Sequence, residues 1–178
     1  MSIALVRHGR TEWNRARRMQ GRTDIPLDEL GRAQAEATGR VLSVALWQRV
    51  VSSPLARARE TAEIIAGHVP GVAVECDGAL IERGYGLAEG MQVAEARERW
   101  PDEAFPGAEP VADATARGVE AVRAVAADGR PAVIVAHGTL IRLTVSALTG
   151  TQCPRILNGQ VMLLERSGDG MRARTVTG

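Results

Sequence analysis

Short apolar runs of strand length recur along the chain, at Ile3 to Val6, Val50 to Val51 with their flanks, Val72 to Val74 and Ala132 to Ala136, with a weaker pair near Val161 to Leu164 and Met171 to Val176. Between them lie segments of helical period. Leu30, Ala33, Ala37, Val41 and Val44 repeat at three- and four-residue spacing behind Asp28, a plausible N-cap, with Gly31 and Gly39 as weak points. Similar patterns cover Pro54 to Ala66, Val93 to Trp100, Ala112 to Ala127 and Thr139 to Leu148, and Gly67, Gly129 and Gly150 stand where helix stops belong. Strands alternating with helices imply an α/β sandwich on a mostly parallel sheet. The turn-rich stretch Pro101 to Pro110 reads as a loop or lid, because too little chain follows for a separate unit. Residues 1–178 are therefore expected to form one domain, and at this length a single core buries about 70% of the unfolded surface without a disulfide or structural metal.

The ends of three strands concentrate the chemistry. Ile3 to Val6 runs into Arg7-His8-Gly9, Val50-Val51 into Ser52-Ser53-Pro54 and a helix bearing Arg57, and Ala132 to Ala136 into His137-Gly138. Ligands of open parallel sheets bind outside the carboxyl ends of the strands, so these polar ends can share one crevice. The glycine after each histidine is expected to allow a sharp turn and close ligand approach, and the helix starts offer N–H groups to an anion.

Composition narrows the chemistry. All 22 basic residues are arginine, which removes Schiff-base lysine and phosphate-loop lysine and leaves guanidinium and backbone to meet anions. With 21 acidic residues the net charge is +1, and only five aromatics are present, so neither a basic field nor a stacking platform for nucleic acid exists. No apolar run approaches membrane-spanning length and Ile3 to Val6 is too short for a signal-peptide core, which points to a cytoplasmic protein. Cys76 and Cys153 lack metal-ligand or CxxC spacing and read as two buried thiols; no metal or other cofactor is expected.

For a phosphate ligand, Arg7 supplies a two-pronged grip and His8 a nucleophile whose pKa the neighbouring cations depress, keeping it neutral. In SSPLARARETA, Arg57 is nearer the helix start than Arg59, which is placed to pair with Glu63 instead. In LIERGYGLAEG, Glu82 suits an acid beside phosphate, because the like charge pushes a carboxyl toward its protonated form.

These blocks, RHGRTEWN, SSPLARARETA, LIERGYGLAEG and VIVAHGTLIR, with QGRTDIPLDELGRAQA after the first, resemble the histidine phosphatase superfamily, in the branch of cofactor-dependent phosphoglycerate mutases and small broad-specificity phosphatases. The likeness spans essentially the whole chain. It implies a three-layer α/β/α sandwich, metal-independent chemistry and a phosphohistidine on His8. It makes Arg7, Arg57 and a protonated His137 the phosphate pocket, Asn14 a further phosphate contact, and Glu82 the proton donor and then base. The expected substrate is a small phosphate monoester, and a homodimer is left open. The ERGYG string at Glu82 is mutase-like, but the segment after it is short and carries no lysine, which favours hydrolysis over the mutase alternative or a non-catalytic binder. Arg10 departs from the family's usual glutamate or glutamine, and with Arg15, Arg17, Arg18 and Arg22 it forms either a rim steering substrates with a second anion or a solvated face paired with Asp24, Asp28 and Glu29. Arg83 and Tyr85 are read as packing groups, with substrate contact the alternative, and Arg83 to Glu109 as the specificity region.

Overall fold

The computed structural model describes residues 2–168 and 170–176. Its sheet has the order β3-β2-β4-β1-β5-β6. Strands β1 (Ser2–Arg7), β2 (Arg49–Ser52), β3 (Val74–Cys76) and β4 (Ala132–Ala136) run parallel, while β5 (Val161–Ser167) returns antiparallel beside β1 and β6 (Gly170–Val176) antiparallel beside β5. β4 lies between β1 and β2, is buried at every residue and reads as the continuous apolar run AVIVA. A strand covered on both faces needs that composition.

Alternate residues of the central strands feed two cores. Ile3, Leu5, Ile134 and Ala136 face α5 (Val111–Ala126) and α6 (Gly138–Thr149). Ala4, Val6, Val133 and Val135 face α2 (Glu29–Leu42) and α3 (Ala56–Ala66). The result is the expected α/β/α sandwich. A third, smaller cluster ties α4 (Val93–Arg99) to the Pro101 to Pro110 loop: Phe105 is buried edge-on to Trp100 and Tyr85, with ring centroids 5.8 and 6.0 Å away. None of the helices in the described residues is long and apolar enough to cross a membrane.

Asp28 caps α2 as expected, its Oδ1 accepting the Gly31 N–H at 2.7 Å. Gly31 and Gly39 are sites of close packing: a Cβ on Gly31 would strike the Arg10 backbone, and one on Gly39 the His68 ring. Several expectations need correction. The third strand begins at Val74, where pairing with Val50 starts, and not at Val72. As an edge strand it leaves Cys76 exposed, so only Cys153 is a buried thiol. The expected stops hold at Gly67, which caps α3 at φ −59°, and at Gly150, which ends α6 in the left-handed conformation at φ 68°. A one-turn helix, α1 (Glu12–Arg15), lies outside the segments of helical period; Thr11 and Asn14 cap it reciprocally, the side-chain amide replacing the usual glutamate or glutamine.

Candidate active site

The order β2-β4-β1 brings the three polar strand ends side by side. Each ladder extends one residue past its strand, with His8 N–H donating to Ala136 O and Ser53 N–H to Val135 O, both at 3.0 Å. His8 and His137 thereby face each other with ring centroids 5.1 Å apart and planes at 59°. Both are buried.

His8 Nδ1 lies 2.7 Å from the Gly9 carbonyl, which can only accept, so Nδ1 carries the proton and Nε2 keeps its lone pair. Gly9 is held by its N–H to Thr61 Oγ1 at 3.0 Å, and Thr61 Oγ1 donates to Arg57 O at 2.7 Å. Neither Gly9 nor Gly138 has a positive φ, which corrects the sharp-turn expectation. A Cβ on Gly9 would overlap the Gly31 backbone, and one on Gly138 would sit 3.2 Å from Arg7 Nε. The first glycine lets β1 pack on α2; the second makes room for a guanidinium.

The two arginines are fixed by carbonyls and not by carboxylates. Arg7 Nη1 donates to Ile156 O at 2.8 Å; Arg57 Nη1 donates to Thr23 O at 2.8 Å and Nη2 to Gly21 O at 2.7 Å. Arg57 is fully buried, because the turn after Gln20 folds over the start of α3, where Asp24 Oδ1 accepts the Ala56 N–H at 2.8 Å. Glu82 sits at the N-terminus of α6: Oε1 accepts from Leu140 and Arg83 N–H at 3.0 and 2.8 Å, and Oε2 from Thr139 N–H at 3.1 Å. Asn14 Oδ1 is committed to Thr11 and to Asn158 Nδ2 at 3.1 Å, so its own Nδ2 is the group left for a ligand.

Burial, then the charges of Arg57 and Arg7, push the His8 pKa well below 6.5, with the Gly9 carbonyl acting the other way. His137 is pushed down by burial, Arg57, His8 and Arg7. The expected protonated His137 therefore does not describe the protein by itself; a bound dianion would have to supply the charge that favours it. Burial also lowers Arg7 and Arg57, while Glu82 pulls both back up. Five buried side-chain polar atoms among the described residues lack a hydrogen-bond partner, and Arg7 Nε, Arg57 Nε and His137 Nδ1 are three of them. An unsatisfied buried polar group costs about 1–3 kcal/mol, so their concentration in one cluster marks a place built for a ligand rich in acceptor oxygens.

The chain matches the sequence profile of the histidine phosphatase superfamily (branch 1) over residues 3–177. It belongs to that superfamily. A Bacillus subtilis relative, named as the uncharacterized phosphatase PhoE, is 36% identical over 97% of this chain and 92% of its own length. A 2,3-bisphosphoglycerate-dependent phosphoglycerate mutase of Gloeobacter violaceus is 32% identical over 82% of this chain and 74% of its own. The structure of a mycobacterial glucosyl-3-phosphoglycerate phosphatase complexed with VO3 superposes with a TM-score of 0.86 at 31% identity, covering 98% of this chain and 96% of that one. This histidine phosphatase fold gathers His8, Arg7, Arg57, His137 and Glu82 into one electrostatically coupled cluster, with Asn14 tied to its edge through Asn158.

Three further contributors have roles that the sequence motifs leave unassigned. Ser53 Oγ is 2.8 Å from His137 Nε2, Asn158 Nδ2 donates to His8 O at 3.0 Å, and the Ile156 carbonyl orients Arg7. Ser53 was visible in SSPLAR as a polar residue at a strand end; Asn158 and Ile156 carried no local signal. Arg83 donates to Glu109 O at 2.8 Å and stacks over Tyr85, the packing role. In the arginine-rich segment Arg10 pairs with Asp28 as expected, while Arg15 pairs with Glu12 and Arg22 with Glu109, neither with Asp24 or Glu29. Arg59 pairs with Glu63 as expected.

Proposed function

We propose that this chain is a metal-independent phosphomonoesterase of small phosphorylated metabolites, acting in the cytoplasm as one domain over residues 1–178. The observation that carries the reading is the state of His8: Nδ1 anchored on a carbonyl, Nε2 unpaired, the ring neutral and flanked by two guanidinium groups. In the first step the Nε2 lone pair attacks phosphorus and the bond from phosphorus to the ester oxygen breaks. Arg7, Arg57, His137 and Asn14 receive the phosphoryl oxygens, and Glu82 gives its proton to the departing alkoxide. In the second, Glu82 takes a proton from water, whose oxygen attacks phosphorus as the N–P bond breaks and its electrons return to Nε2. Phosphate leaves. The positive charge that a metal would bring to such a transfer is supplied here by guanidinium groups, which fits metal independence. The structurally similar glucosyl-3-phosphoglycerate phosphatase agrees with hydrolysis of a small monoester, and the Bacillus subtilis relative is named as a phosphatase.

The reading is tested by p-nitrophenyl phosphate turnover in excess EDTA, wild type against His8→Ala. Chelator-resistant turnover that disappears in the variant supports it. A folded wild type without turnover would shift the assignment to a selective phosphoglycerate mutase, checked with phosphoglycerate and 2,3-bisphosphoglycerate, or to a non-catalytic binder.

A further inference from the structure

The segment that carries Glu82 carries a second carboxylate, Glu89, which the reaction above does not use. It closes the short 3-10 turn Gly86–Ala88 and is partly buried. Its Oε1 accepts the backbone N–H groups of Arg22 and Tyr85, both at 3.0 Å. Its Oε2 accepts the Thr23 N–H at 3.0 Å and the Thr23 hydroxyl at 2.6 Å. All four donors are neutral, three are backbone, and two of those three lie in one turn. Gly21, at φ +54°, lies against the same carboxylate so closely that a Cβ there would overlap Oε1.

That turn is the cradle of Arg57. Gly21 and Thr23, on either side of Arg22 in that turn, present the carbonyls that accept Arg57 Nη2 and Nη1 at 2.7 and 2.8 Å. Glu89 thus reaches the guanidinium through three residues of backbone without forming a hydrogen bond to it. Its charge also helps to keep Arg57 protonated, alongside Glu82 and Asp24. At the near end of the segment, Tyr85 OH is 2.6 Å from Thr139 Oγ1, and Thr139 N–H is one of the donors to Glu82.

We propose that Glu89 is a positioning residue that fixes the Gly21 to Thr23 turn, so that Arg57 is aimed at the phosphoryl group, and that its effect on the reaction passes through Arg57. The proposal rests on the reading of Arg57 as a phosphoryl ligand. Glu89→Gln is the informative change, because it conserves volume but leaves one acceptor oxygen. Whichever way the amide is turned, its NH2 faces at least one backbone N–H, of Thr23 or of Arg22 and Tyr85, which cannot rotate away. A displacement of order 1 Å in a positioning group can lower turnover about 100-fold.

The test is a double-mutant cycle on kcat/KM for p-nitrophenyl phosphate with wild type, Glu89→Gln, Arg57→Gln and the pair, together with inhibition by vanadate. Residual turnover is followed for hours, so that large losses stay measurable. Glu89→Gln is expected to lower kcat/KM by about 10- to 100-fold and to weaken vanadate inhibition, yet to change turnover by less than about 3-fold once Arg57 is gone. A full loss in the Arg57→Gln background, or no loss in the wild-type background, would overturn the proposal. If Glu89→Gln does not fold, Thr23→Val removes one donor and keeps the Thr23 carbonyl. Its smaller loss must likewise vanish without Arg57, and a loss that persists there would count against the proposal. If Arg57→Gln and His8→Ala leave turnover intact, the site reading itself fails; if they abolish it and Glu89→Gln does nothing, only the role of Glu89 does.

Discussion

A histidine attacks phosphorus only through an uncharged nitrogen with a free lone pair, and the surroundings of His8 hold it to both conditions: the Gly9 carbonyl takes the Nδ1 proton, and burial with Arg57 and Arg7 disfavours a second one. Removing a single oxyanion-type donor such as Arg57 or His137 should lower turnover about 100- to 1000-fold, while His8→Ala should lower it further; steady-state kinetics on one substrate checks the order. The same depression has a cost in stability. Both histidines lie below their ordinary 6.5 in the folded protein, so the unfolded chain takes up protons first as pH falls. Stability is therefore fully present above about pH 6.5 and declines below it, as the unfolded chain binds protons that the two buried rings refuse. The depressed carboxylates, among them Glu89 and Glu109, act in a lower window below 4.5, so the interval from about pH 6.5 to 5 isolates the histidines. The Tm of wild type should fall more across that interval than the Tm of His8→Asn; parallel curves would contradict a neutral, buried His8.

At the scale of elements, two glycines separate packing from catalysis. Gly39 lies on α2 against the His68 ring, and Gly39→Ala should destabilise by about 1–3 kcal/mol through overpacking while leaving kcat/KM unchanged. Gly138 opens α6 beside Arg7, and Gly138→Ala should displace the guanidinium and lower kcat/KM by more than 10-fold, about 1.4 kcal/mol of barrier, with a smaller effect on Tm. Thermal melts and kinetics on the two variants test the split. The elements themselves were legible wherever a period of 3.6 or a continuous apolar run extended far enough, as in β4, α2 and α5. What local pattern could not supply was set by pairing: the start of β3 follows from the register with Val50, and the exposure of Cys76 from its place at the sheet edge. Ser53 and the α1 cap do carry local signals, a polar strand end and a Thr-x-x-Asn pair. Asn158 had none, since it reaches His8 across 150 residues only because β5 returns beside β1.

For the whole molecule, the order β2-β4-β1 turns three distant blocks of sequence into one site, and the polar strand ends alone imply that convergence. The roles within the site were less legible, because the protonation of His137 depends on the charge of what is bound, which no sequence pattern states. Phosphoryl transfer through His8 is the central step of the proposed reaction. Mixing enzyme with substrate, quenching within the first turnover into alkali, where phosphohistidine survives, and mapping the peptides by mass spectrometry tests it most directly. One phosphoryl group on the peptide containing His8, absent from His8→Ala and present in excess EDTA, is the predicted result. A wild type that releases phosphate while His8 never gains a phosphoryl group at any quench time would contradict it, and would mean that water attacks the ester directly.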